Sequence, residues 1–217
     1  MVKRKIPAAP SVRRLPSYLL TIRQLQSEGW EYVSGTYIAQ ELKLEPIQVR
    51  KDLSITGIIG KPKKGYPVDN LIRSIEHFLG WDETQDAVLV GAGNLGTALL
   101  GYEEFRLHRL NIVAAFDTNP RKIGSRIHGV PVLSVDTIDI QIGGFGVKTA
   151  ILTVPSPFAQ ETADRLVKAG IEAIWNFTNV KLKTPEHVVV QKEDLSSGYA
   201  MLCVMRRAKQ MEKDEAI

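Results

Sequence analysis

Residues 88–96, VLVGAGNLG, constrain the fold more than any other stretch of the chain. An apolar run breaks into three glycines, Gly91, Gly93 and Gly96, spaced G-x-G-x-x-G. The pattern reads as a strand that turns sharply and opens a helix. Gly91 allows the tight turn, Gly93 lets a pyrophosphate approach the backbone, and Gly96 lets helix and strand pack closely. Ala92, Asn94 and Leu95 complete the loop, whose free N–H groups and helix dipole suit an anion. A second strand should end at Asp117, 21 residues beyond Gly96. An acidic side chain there would accept both ribose hydroxyls and repel a 2′-phosphate, which favours NAD(H). Arg121 and Lys122 follow closely and moderate that preference. A fold of this kind that holds another adenosine ligand is the alternative.

Around the glycine turn, strand candidates fall at 87–90, 112–116, 149–154, 173–176 and 188–190, with helical stretches between the first four. That alternation predicts a parallel, doubly wound sheet of the Rossmann type over residues 81–192. Residues 1–80 read differently. A basic, Pro/Ala-rich arm at 1–10 precedes a helix marked by Leu15, Leu19, Ile22 and Leu25 and stopped by Gly29. Ser34 can cap a second helix whose apolar side is Tyr37, Ile38 and Leu42. Pro46 suits the first turn of a third helix, which runs to about Thr56. Residues 57–68 read as a small hairpin, or wing, and a fourth helix covers 68–79. The tail, 193–217, carries a last helix with Leu195, Tyr199, Leu202, Cys203 and Met205 on a broad apolar face.

Charge divides along the same line. Residues 1–80 hold 13 Lys/Arg against 7 Asp/Glu, whereas residues 81–217 hold 15 against 17. A basic module joined to a neutral one suits a polyanion. On a helical wheel the third helix turns Val49 and Leu53 inward. Gln48, Arg50, Lys51 and Ser54 point outward around Ile47. These side chains suit base edges and phosphates of DNA. Helix, turn, helix and a lysine-bearing wing is the layout of a winged helix-turn-helix, with the third helix in the major groove. Lys61, Lys63 and Lys64 would meet phosphates, and Ser34, Thr36, Tyr37 and Tyr66 would extend the DNA-facing surface.

Other classes fit less well. No apolar run is long enough to span a membrane. The amino terminus has charge but no apolar stretch behind it, so it does not read as a secretory signal. A single cysteine, Cys203, fits a reducing cytoplasm. Its helical position and apolar neighbours make it a packing residue. A dehydrogenase needs a proton donor or acceptor beside the nicotinamide. His77, His108, His128 and His187 lack an evident orienting carboxylate, no Y-x-x-x-K pattern occurs, and no metal-ligand spacing appears. No catalytic residue is therefore assigned, and the nucleotide reads as sensed rather than consumed. An NAD-dependent oxidoreductase with an unusual amino-terminal domain is the main rival. A redox switch through Cys203 is the third reading.

Three stretches together resemble the Rex family of redox-sensing transcriptional repressors. They are SVRRLPSYL (11–19), QVRKDLS (48–54) with GKPKKGYPV (60–68), and GAGNLGTALLGYEEF (91–105) with AAFDTNPRKIG (114–124). ILTVP (151–155) and AGIEAIWNFTNVKL (169–182) continue the likeness. The resemblance implies a homodimer that binds palindromic operators of fermentative and respiratory genes under NAD+ and leaves them under NADH. It implies a last helix exchanged between subunits. It also implies roles for single residues: Lys122 near the adenosine, and Thr153, Val154 and Pro155 beside the nicotinamide ribose. Tyr102 would respond to the nicotinamide. Arg14, at the DNA-binding module, would pair with Asp194 at the start of the exchanged helix. Two departures stand out: VSGTYIA replaces the more usual VSSxxLA around Gly35, and Leu195 follows Asp194 where some relatives have an aromatic.

Overall fold

The structure, a computed structural model, describes residues 9–214. Most of the basic arm, residues 1–8, lies outside that range, as do residues 215–217. Ala9 and Pro10, expected in the arm, already belong to the first helix. The chain forms two compact units that meet between Thr84 and Gln85.

The first unit runs α1 (Ala9–Ser27), β1 (Tyr32–Val33), α2 (Gly35–Glu41), α3 (Pro46–Ser54), β2 (Tyr66–Pro67) and α4 (Val68–Leu79). From its second turn on, α1 contributes to the core through Leu15, Tyr18, Leu19, Ile22 and Leu25. Ile38 of α2, Val49 and Leu53 of α3, and Leu71 and Ile75 of α4 close around them, all fully buried. Ser34 caps α2, its hydroxyl accepting from the Tyr37 N–H at 3.0 Å. Pro46 occupies the first turn of α3. The wing departs from the expected hairpin. The second piece, β2, pairs not with residues 57–60 but with β1, before α2, in antiparallel register Val33↔Tyr66. A single bridge, Lys61↔Gly65, closes the loop between them. Residues 62–64 form the turn itself, with the Lys64 N–H donating to the Lys61 carbonyl at 3.2 Å, so the ladder ends there.

The second unit runs β3 (Gln85–Val90), α5 (Asn94–Leu100), α6 (Glu103–Leu107), β4 (Leu110–Asp117), β5 (Arg126–Ile127), β6 (Val130–Ser134) and α7 (Ile138–Phe145). It continues with β7 (Thr149–Leu152), α8 (Ala159–Lys168), β8 (Ala173–Asn176), β9 (Val189–Lys192) and α9 (Leu195–Asp214). The sheet order is β5-β6-β4-β3-β7-β8-β9, parallel throughout except for β5. All five expected strands are present, joined by β5 and β6. Proline is uncommon inside a strand, and β6 carries Pro131. Successive residues of β3 face opposite sides, Val88 and Val90 into one core and Leu89 into the other. This is the two-sided burial that parallel strands demand. β7 stops at Leu152, two residues short of the expected end, which frees Thr153 and its neighbours as loop. On α9, Leu195, Tyr199, Leu202 and Met205 are exposed. Cys203, expected to pack, is exposed with them in the single chain.

Candidate nucleotide crevice and nucleic-acid interface

The strand order reverses beside β3, which has β4 on one side and β7 on the other. Loops diverge there at the carboxyl ends of the strands and leave a crevice. Its volume is about 730 Å³, and Gly91, Gly93, Asp117, Lys122, Thr153, Val154 and Pro155 line it. That size falls within the usual range for small-molecule sites, roughly 300–1,000 Å³.

The glycine turn is sewn to both neighbouring strands. The Gly91 N–H donates to the Phe116 carbonyl at 2.8 Å, and the Thr153 N–H donates to the Val90 carbonyl at 2.9 Å. The Thr153 hydroxyl donates to the Gly91 carbonyl at 2.7 Å. Gly91 has φ of +100°, and a Cβ there would stand 2.9 Å from the Thr153 carbonyl and the Val154 nitrogen. A Cβ on Gly96 would strike the Gly91 carbonyl. A Cβ on Gly93 would meet no protein atom and would project into open space. The cradle is therefore tight where it must turn and open where a phosphate would lie. Ala92, Asn94, Leu95 and Gly96 build the turn without lining the crevice. Asp117, at the end of β4, uses one carboxylate oxygen to accept from the Asn119 N–H at 2.7 Å. The Lys122 ammonium donates to the Ala92 carbonyl, bracing the turn from across the crevice mouth.

The far wall was not read from the sequence. Val135, Asp136, Phe158, Glu161, Thr162 and Arg165 complete it. Their signal was topological: Val135 and Asp136 follow the end of β6, while Phe158 and the first turns of α8 follow β7, so both groups fall at the carboxyl ends of the strands. Tyr102 and Phe105 do not line the crevice. Tyr102 precedes α6, its hydroxyl donates to Glu104 at 2.8 Å, and its ring meets Phe105 edge-on at 5.0 Å. The row continues from Phe105 to Trp175 and on to Phe177. The Glu104 carboxylate beside it raises the Tyr102 hydroxyl above its usual pKa. His77 does have an orienting carboxylate, Asp82 at 2.6 Å, which raises its pKa. The pair lies in the first unit, and neither residue lines the crevice. Among the described residues no group of three or more His, Cys, Asp or Glu side chains could hold a metal ion. No helix among them is long and apolar enough to cross a membrane.

In the first unit α3 buries Val49 and Leu53 as expected and leaves Arg50, Lys51 and Ser54 exposed around Ile47. Thr36, Ser34, Lys61, Lys63 and Lys64 are also exposed, while Tyr37, Gln48 and Tyr66 are half-buried. The wing lysines have an aromatic support. Lys61 donates to the Tyr32 hydroxyl at 3.0 Å, and Lys61 and Lys64 lie 5.3 and 5.5 Å from the centre of its ring. Gly35 sits under the Arg50 stem, where a Cβ would come within 3.2 Å of Arg50 Cγ. The glycine in VSGTYIA thus lets α2 and α3 approach closely.

Arg14 is held inside this unit. Its Nε and Nη2 donate to Asp52 at 2.7 and 2.9 Å. The Tyr18 hydroxyl donates to the same carboxylate at 2.6 Å, and Gln48 Nε2 donates at 2.8 Å. Burial alone would push the Asp52 carboxyl up, but hydrogen bonds from Arg14, Tyr18, Ser11 and Gln48 outweigh it and hold it at about 2. Asp194, expected as the partner of Arg14, instead accepts from the Ser196 N–H at 3.0 Å at the start of α9 in the single chain. Sequence reasoning missed Asp52. Its place on the wheel, about 60° from Val49 by the 100° step, was the available signal.

Known proteins resemble both units. Residues 82–180 match a family described as "CoA binding domain", and residues 5–54 match one described as "Putative DNA-binding protein N-terminus". A redox-sensing transcriptional repressor Rex of Treponema denticola is 60% identical over 209 residues, covering 96% of this chain and 100% of that protein. The Bacteroides fragilis Rex is 42% identical, covering 93% and 90%. Among solved structures, the complex of RSP with β-NAD+ and operator DNA is similar at a TM-score of 0.87 and 33% identity, covering 97% of each chain. RSP with β-NADH gives 0.86 at 32% identity, covering 97% of this chain and 99% of that one. Identity on this scale, over nearly the whole chain, reaches both units at once. The chain belongs to the Rex family of redox-sensing transcriptional repressors, which are regulators and not enzymes.

Proposed function

We propose that this chain represses transcription by binding palindromic operator DNA as a homodimer and releases it when NADH occupies the crevice. One observation carries the reading. A glycine turn and an acidic strand end line one crevice at the sheet's switch point, on the same chain as a helix that presents Arg50 and Lys51 to solvent. RSP, similar over both units, has been crystallised with β-NAD+ and operator DNA and with β-NADH.

Residues 91–96 would take the pyrophosphate, Asp117 the ribose hydroxyls, and Lys122 the adenosine side. Thr153, Val154 and Pro155 would lie beside the nicotinamide ribose. The oxidised ring is cationic and the reduced ring neutral, so an apolar surround disfavours the oxidised form. Tyr102 joins the nicotinamide surround only by a change from its present place. Residues 1–80 would read DNA through α3, with Gln48, Arg50, Lys51 and Ser54 in the major groove and the wing lysines on phosphates. Ser34, Thr36, Tyr37 and Tyr66 flank that surface. The exposed apolar face of α9, within residues 193–217, suits the partner subunit. There Asp194 would meet the partner subunit's arginine, in competition with the Asp52 that holds it now. A reducing cytoplasm is the fitting compartment, and genes of fermentation and respiration are the fitting targets.

A ligand shifts an equilibrium only by its difference in affinity for the two states. A tenfold loss of DNA affinity thus needs about 1.4 kcal/mol of preference. NADH would favour a dimer whose reading helices no longer match one DNA turn, roughly 34–36 Å. A gel shift tests this, using a palindromic duplex selected by the protein from a random library. Retention should fall as the NADH/NAD+ ratio rises; equal retention at saturating NAD+ and saturating NADH excludes the scheme.

A further inference from the structure

Asp52 is the only fully buried carboxylate among the described residues, and it sits on α3, one helical turn after Gln48. A carboxylate can only accept hydrogen bonds. The atom of Gln48 that meets it at 2.8 Å must therefore be the amide nitrogen. An unrestrained glutamine can offer either its N–H2 or its carbonyl to a base. Gln48 cannot choose freely, because Asp52 is itself clamped by both nitrogens of Arg14 and by Tyr18. We propose that Asp52 is a specificity-determining positioning residue: it fixes the direction of the Gln48 amide, so that α3 presents the carbonyl oxygen as an acceptor to the major groove.

This rests on the reading that α3 enters that groove. An acceptor there pairs with an exocyclic amine, the N6 of adenine or the N4 of cytosine. Guanine and thymine offer it only acceptors or a methyl group at their major-groove edges. Asp52 never touches DNA in this scheme. It sets what Gln48 can read, and it does so before DNA arrives.

The test takes duplexes selected from a random library by the wild-type protein and replaces each base pair in turn. Affinities are then measured for wild type, Gln48→Ala, Asp52→Asn and the double variant. Gln48→Ala should flatten the preference for adenine or cytosine at one position of each half-site by about tenfold. Asp52→Asn should flatten that same position while the rest of the profile persists, and the double variant should add nothing there. A uniform loss of affinity in Asp52→Asn, with the preference at that position intact, overturns the proposal and leaves Asp52 a structural residue. An unchanged profile in Gln48→Ala overturns it by removing Gln48 from the groove. Failure of the wild-type protein to select any sequence refutes DNA reading itself. A second measurement needs no Asp52 variant: side-chain ¹⁵N relaxation of Gln48 in the free wild-type protein, its amide signal identified by its loss in Gln48→Ala. An amide as ordered as the helix backbone supports the proposal; one as mobile as an unrestrained glutamine overturns it.

Discussion

In the sheet unit the working site is shaped by main chain. Gly91, Gly93 and Gly96 set the turn, and strand ends on either side hold it. In the helical unit the working surface is set by side chains, one of which, Gln48, is tied with Arg14 and Tyr18 to a single buried carboxylate, Asp52. The difference has a physical root. A phosphate cradle needs backbone N–H groups and bare space, which only residues without a Cβ supply. A base-reading surface needs side chains of fixed direction, which only hydrogen-bonded neighbours supply. Damage to the two sites should therefore differ in kind: steric and abrupt in one, electrostatic and graded in the other.

The sharpest break is Gly91→Val. The positive φ and the 2.9 Å approach to the Thr153–Val154 backbone leave no room for a branched side chain. NADH affinity should fall by more than about 100-fold, worth about 2.7 kcal/mol. Fluorescence titration reads this, while a DNA titration should still find the helical unit active. Next comes Arg14→Ala, which strips Asp52 of its cation while leaving the charge buried. Such a loss costs about 3 kcal/mol, measured by urea unfolding. A cost near zero would mean that the carboxylate does not organise the unit.

Acid offers a gentler probe of the same group. The unfolded chain protonates Asp52 near pH 4, whereas the folded unit resists to about pH 2. Stability from this carboxylate is fully present above pH 4 or so and is lost as the pH falls towards 2, a decline of about 2 kcal/mol. Unfolding free energies from urea titrations at pH 5 and pH 2.5 should differ by about this amount more in wild type than in Asp52→Asn. Smaller still are the exposed contacts. Arg50→Ala and Lys51→Ala should each weaken operator binding about tenfold and leave NADH affinity alone. Asp117→Ala should weaken NADH by about tenfold or more and leave intrinsic DNA affinity alone. Loss of both functions in any one of these folded variants would dissolve the contrast between the units. Cys203→Ser should change neither function, and any loss of NADH response in that variant would reopen the thiol switch.

Legibility followed the same divide. Glycine spacing and alternating apolar runs told of the crevice, because backbone geometry restricts residue type directly. The inward Val49 and Leu53 were equally plain from helical periodicity. Asp52 was not, since a carboxylate within a charged stretch looks like any solvated one until its partners from α1 are in place. Phe158 and Arg165 escaped for a related reason: they reach the crevice only through the order of strands. The pairing of β2 with β1 crosses two helices, and nothing local announced it.

In the proposed scheme the crevice and the reading helices share one equilibrium. Linkage makes the effect reciprocal: whatever factor NADH takes from DNA affinity, DNA must take from NADH affinity. The direct measurement is NADH binding by fluorescence, with and without a saturating selected duplex. Weaker NADH binding in the presence of DNA, by the same factor that NADH weakens DNA binding, is the predicted result. An NADH affinity unchanged by DNA would contradict it.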